Sequence, residues 1–165
     1  MPRPRAAAPP VDELVGAAAV TTRWAERVLA AHEPPLTVAQ YLALRAIGRE
    51  HVTASELARR AGISGPAASQ LVSGVESEGW IDRTPFAHDR RSNELALTES
   101  GRSAFASATK ALRDAIGPLL AQLPGPELHS LQRSLPLLEA TLGGNPPPRR
   151  PRPPHPPEGP RPRRR

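Results

Sequence analysis

The chain has 165 residues, enough for one domain with tails, and only 38% of them are hydrophobic and 3% aromatic, so a core must be built from Ala, Leu and Val. It holds no cysteine, which excludes disulfides, thiolate metal sites and cysteine redox chemistry, and no apolar run approaches the roughly 20 residues that span a bilayer. The net charge of +6 sits at the ends: residues 1–10 contribute +2 and residues 143–165 contribute +6, which leaves −2 for the body between them, so overall basicity says little about the folded part.

Residues 1–10 read as a disordered arm. They lack the apolar segment of a secretory signal, and a cytoplasmic location is expected. Residues 11–31 have helical periodicity, with Leu14, Ala17, Ala18, Trp24, Val28 and Leu29 on one broad face. Pro34 and Pro35 end that helix. Thr37 followed by Gln40 is a capping-box pattern, and the helix it opens runs through Tyr41, Leu44 and Ile47 to about Gly48. Thr53 and Glu56 form a second such pattern and open a short helix over 54–61, with Leu57 and Ala58 inward. Gly62 terminates it, and Ile63 reads as a buried turn residue. Ser64 caps a third helix over 65–78, with Pro66 in its first turn, where no amide donor is needed. Ala68, Leu71, Val72 and Val75 share one of its faces, and Gly79 ends it.

Residues 80–83 alternate and read as a strand, with 94–97 as its partner and a polar ten-residue loop between them. Thr98 caps a long helix from Glu99 to about Gln122, in which Pro118 is expected to make a kink. The Pro124-Gly125-Pro126 run is a break. A last helix over 127–142 carries Leu128, Leu131, Leu135, Leu138 and Leu142, and Pro136 is expected to kink or interrupt it. Ten prolines crowd 146–162, so the Pro/Arg-rich tail cannot be regular helix or strand.

A short helix, a glycine turn and a second helix have helix-turn-helix spacing. A helix that enters a DNA groove must present small or polar side chains. Helix 65–78 and its cap offer Ser64, Gly65, Ala67, Ser69, Gln70 and Ser73. Gln70 can bond adenine through two hydrogen bonds, Ser69 can reach a base or a phosphate, and an alanine methyl can touch thymine. An ordinary solvated face of an all-α domain has the same composition. The loop after it favours the groove reading over a solvated charged turn: Asp89, Arg90 and Arg91 sit at the tip of a hairpin, where a guanidinium can enter a narrow minor groove. Asp89 is close enough in sequence to hold Arg91 in position. Arg59 and Arg60 end the first helix of the pair, as phosphate contacts or as cations favoured by a helix C-terminus. Arg83 is a phosphate contact or a surface charge.

The segment from Val38 to Gly101 resembles the MarR family of bacterial transcription regulators. The resemblance is carried by Ser55-Glu56-Leu57-Ala58, Gly62-Ile63-Ser64, Leu71-Val72, the run Glu76 to Ile81, Asp89-Arg90-Arg91-Ser92 and Leu97-Thr98-Glu99-Ser100-Gly101. It implies a mainly α fold with a small β-hairpin. A winged helix-turn-helix domain over 37–98 is flanked by dimerisation helices at 11–36 and 99–143, with an arm at 1–10 and a tail at 144–165. It implies a homodimer on a pseudo-palindromic double-stranded DNA site, acting as a ligand-responsive repressor. Ser69 and Gln70 would then read the major groove, with Arg91 as the wing arginine and Asp89 as its orienting partner. Members often bind a small aromatic or phenolic anion, and Trp24 or Tyr41 could line such a pocket, although core packing explains both. The chain departs from the pattern in Gly65 and Gly74 of the recognition helix, in the absence of Arg or Lys between Ser64 and Glu78, and in Pro118, Pro136 and the tail.

No histidine has metal-ligand spacing, no catalytic triad or paired carboxylates stand out, and no glycine-rich loop follows a strand. No cofactor and no enzymatic activity are expected. The tail is either a cationic arm making salt-sensitive phosphate contacts or a neutral extension. The rival expectation is an architectural or protein-interaction winged-helix protein whose Arg-rich tail binds nucleic acid without sequence preference.

Overall fold

The computed structural model describes residues 10–50, 52–86 and 89–144, and for 85–93 the course of the backbone only. The arm at 1–9, His88 and the tail from 145 onward lie outside the described residues. Helices α1 (Val11–Ala30) and α2 (Val38–Arg49) lead into a short strand β1 (Val52–Thr53). The pair α3 (Ala54–Ala61) and α4 (Gly65–Ser77) follows, then the hairpin strands β2 (Ile81–Phe86) and β3 (Asp89–Leu97), and finally α5 (Glu99–Leu120) and α6 (Gly125–Gly144). The result is mainly helical with one small antiparallel sheet.

Local signals account for most helix starts. Thr37 and Gln40 complete a reciprocal capping box. Thr53, Ser64 and Thr98 each accept a backbone amide of their own first turn, from Glu56, Ala67 and Gly101. Gly62 ends α3 in the left-handed conformation at φ 64°, which favours a residue without a Cβ. Glu56 departs from the expected second capping box. Its carboxylate goes to Arg59 and Arg60 instead, since two guanidinium groups outweigh one neutral amide.

The sheet differs from expectation in three ways. β1 was not foreseen, because two residues carry no period; it pairs Val52 with Leu95 at the edge of the sheet. Trp80 stands before β2 rather than in it, buried at 4% exposure. And the strands continue well into the segment expected to be loop, pairing Arg83 with Leu95, Thr84 with Glu94 and Pro85 with Asn93 before the register breaks at Phe86. Asp82, Arg83 and Thr84 are all exposed, so beyond Ile81 no buried face imposes apolar alternation on β2 there, and its polar sequence disguises paired backbone. Pro85 is tolerated because β2 is an edge strand in the order β1-β3-β2.

The core lies where α2, α4, α5 and the sheet meet. Leu29, Leu44, Val52, Val72, Val75, Ile81 and Leu95 are its largest fully buried side chains. Ile63 is only half-buried. Thr98 joins three parts of this core: its amide donates to the Trp80 carbonyl, its hydroxyl donates to the Gly79 carbonyl at 2.7 Å, and the same oxygen caps α5. Gly101 lies against the Trp80 backbone so closely that a Cβ would overlap the carbonyl oxygen. The Leu-Thr-x-x-Gly run is thus a joint between hairpin and α5.

The outer helices are different. On α1, Val11, Val15 and Val20 are exposed by 57% or more, and on α6 Leu135, Leu137 and Leu142 by 52% or more. α6 runs through Pro136 without the expected interruption, and Pro118 lies inside α5 near its end. Pro136 is exposed, so the carbonyl left without an amide partner can turn to water. Among the described residues no helix is long and apolar enough to cross a membrane.

Candidate nucleic-acid interface

α4 buries Ala68, Val72 and Val75 and turns the opposite side outward. The structure leaves Ser64, Gly65, Ser69, Gln70 and Ser73 exposed along one helix, while Ala67 is half-buried. This face is small and polar, and it opens at the capped N-terminus of the helix, where the helix dipole favours negative charge. The β2–β3 hairpin follows after a turn through Gly79, whose φ of 71° requires glycine there. Asp89, Arg90 and Arg91 lie on β3; the directions of their side chains are outside the described residues.

The other arginines named from the sequence are all held by carboxylates. Arg59 and Arg60 both bond Glu56, and Arg60 also reaches Glu50 at 2.7 Å. These bonds, that from Arg59 first, lower the pKa of Glu56 below the usual carboxylate value, and the bond to Glu50 is the main cause raising that of Arg60. Arg83 on β2 grips Glu76 on α4 through Nε and a terminal nitrogen, each at about 2.9 Å. None of the three therefore approaches DNA as an uncommitted cation. The sequence could not display this, because the partners stand on different elements in two of the pairs.

Tyr41 lines a cleft to which Trp24 does not contribute. Tyr41 is half-buried between α2 and α5, with its hydroxyl 3.3 Å from Thr109 Oγ1 and its ring centroid 5.3 Å from that of Phe105. It lines an open cleft of about 530 Å³ together with Arg45, Gly48, Arg49, Phe105, Thr109, Leu112, Arg113 and Ile116. Trp24, half-buried on α1, is not among the lining residues. The arginines of this cleft escaped the sequence reading, which followed the apolar face of α2 alone. The signal was present as Tyr41, Arg45 and Arg49, spaced four apart and so on one helix face. Among the described residues no group of three His, Asp or Glu side chains could hold a metal ion.

Residues 35–92, from the start of α2 into the wing, match the model of the MarR family. The winged core is therefore similar to that family over this segment. No curated protein matches by sequence, but solved structures extend the likeness over the flanking helices. Wild-type MarR of E. coli in its apo form is 20% identical, with 80% of this chain and 98% of that one covered and a TM-score of 0.69. The MarR family protein Rv2887 of Mycobacterium tuberculosis, in complex with salicylic acid, is 26% identical over 81% and 98%, with a TM-score of 0.65. FabT of Streptococcus pneumoniae, in complex with DNA, is 17% identical over 79% and 92%, also at 0.65. The chain thus has the MarR-type winged-helix fold throughout α1 to α6.

Proposed function

We propose that the protein is a homodimeric, sequence-specific regulator of transcription that binds double-stranded DNA and responds to a small aromatic anion. The observation that carries this reading is the small polar face of α4, running from the capped Ser64 to Ser73 beside a projecting hairpin. Two such faces in a two-fold dimer would occupy successive major grooves, about 34 Å apart. Arg91 would enter the flanking minor groove, oriented by Asp89, with Arg90 beside it on the phosphates. The apolar residues left exposed on α1 and α6 supply a surface for the second copy. The Tyr41 cleft offers ring faces for an aromatic body and three arginines for a carboxylate. The complexes of Rv2887 with salicylic acid and of FabT with DNA support the same two partners here.

Selection from a random DNA pool tests the reading. A recovered motif with two-fold symmetry is expected; an unstructured pool would refute sequence specificity. The charge of −2 on residues 11–142 favours one rival, in which the tail does the binding. A chain ending at Gly144 separates them: it keeps its sequence preference if the winged domain reads DNA, and loses all affinity if the tail alone binds.

A further inference from the structure

The carboxylate of Glu139 on α6 crosses to α2, where one oxygen lies 3.0 Å from Arg45 and 3.5 Å from Arg49. The second oxygen accepts from the same Arg45 nitrogen at 3.3 Å. This pairing joins residues far apart in sequence and ties the last helix to the winged core. It borders a cleft of about 670 Å³ beneath α6. Arg45 and Arg49 also line the Tyr41 cleft, on the other side of the same two side chains. One pair of guanidinium groups therefore serves two clefts, and one of those clefts already supplies it with a carboxylate.

A guanidinium offers its donors in a fixed planar fork, and a carboxylate arriving through the Tyr41 cleft needs that fork turned toward it. A second carboxylate close to Glu139 would also meet like-charge repulsion. We infer that Glu139 is a built-in competitor for the anionic ligand of the Tyr41 cleft, so that an aromatic carboxylate draws Arg45 and Arg49 off Glu139 and frees the end of α6 from α2. This rests on the ligand reading proposed above and gives it a route to the helices: binding is linked to the release of α6, and anything that holds α6 down weakens binding by the same factor.

All three side chains are partly exposed, at 33% for Arg45, 61% for Arg49 and 58% for Glu139, so the competition is modest. Titration calorimetry of the full chain with salicylate as probe reads it. Glu139→Gln keeps the side chain's shape and removes its charge, and binding is expected to tighten about three- to five-fold, the limit for an exposed ion pair. Glu127→Gln removes a charge from the first turn of the same helix and is expected to leave binding unchanged. Hydrogen exchange of the segment 139–144 supplies an independent readout. Salicylate should accelerate it in the parent chain, and in Glu139→Gln it should be fast from the start. If salicylate binds all three proteins equally, Glu139 does not compete, while the ligand reading survives. An equal gain in both variants would reduce the effect to net charge and overturn the inference. Absence of binding to both the parent and Glu139→Gln would remove the ligand reading and the inference with it.

Discussion

The winged core and the outer helices satisfy the same requirement, burial of apolar side chains, in opposite ways. In the core, Leu44, Val72, Ile81 and Leu95 are sealed from solvent by the chain itself. On α1 and α6, Val15 and Leu137 stand 63% and 69% exposed, and α1 starts without a side-chain cap. A lone helix of twenty residues gains little from propensity and relies on packing its apolar stripe. The core is complete as one chain; the outer helices leave apolar side chains uncovered, which a second copy would bury on the proposed dimer reading. On the proposed dimer, stability and assembly would be carried by separate residues, and so could be broken separately.

The largest effect should follow from Gly101→Ala. The added methyl has no space against the Trp80 backbone, and a loss of about 3 kcal/mol or more is expected in urea unfolding, from overpacking against an atom that cannot swing away. Winged core and assembly should fail together. Leu137→Arg should separate them. Sedimentation velocity is expected to show a monomer, with the dimer weakened about a hundredfold or more by a charge buried without a partner, while the circular dichroism of the core persists. A dimer of undiminished strength would move the interface off α6. Thr98→Val removes the cap of α5 and the bond to Gly79, and about 1–2 kcal/mol should go from the core with the dimer intact. Arg91→Ala should leave fold and dimer untouched and weaken DNA binding about tenfold, read by fluorescence anisotropy; equal affinity would deny the wing its role.

The smallest effect is a pH dependence. Glu56 has its pKa lowered in the folded chain, so its pairing stabilises above the ordinary carboxylate range near about 4.3 and is lost as pH falls through the lowered value. The stability difference between the parent and Glu56→Gln should therefore be constant at neutral pH and close only below that range. Closure near neutral pH would assign the titration to another group. Arg60 adds nothing to this window, because its raised pKa lies beyond any pH at which the chain would be studied.

Helix starts were legible because a cap is a local event: Thr37, Ser64 and Thr98 each accept from the amide three residues on. So was the polar face of α4, since the apolar positions Ala68, Val72 and Val75 leave one side over. What depends on distant partners was not legible. Nothing near Arg45 in sequence points to Glu139, and Arg83 looks like any strand-end cation until α4 brings Glu76 beside it. Pro136 sits inside α6 without interrupting it. Proline removes one amide donor and crowds the carbonyl four residues back, which bends a helix or breaks it, and on an exposed face the freed carbonyl can turn to water.

The grip of Arg83 on Glu76 has a consequence of its own. It ties α4 to the base of the hairpin and adds about 1 kcal/mol or less to the packing that already joins them. On the DNA-binding reading, the protein then works as a caliper with a preferred opening. Changing the distance between what α4 touches in one groove and what the wing touches in the next would cost that ion pair. A site with the correct bases but the wrong local helical pitch would be disfavoured, and cutting the tie with Arg83→Gln should widen the range of accepted sites before it lowers affinity for the best one.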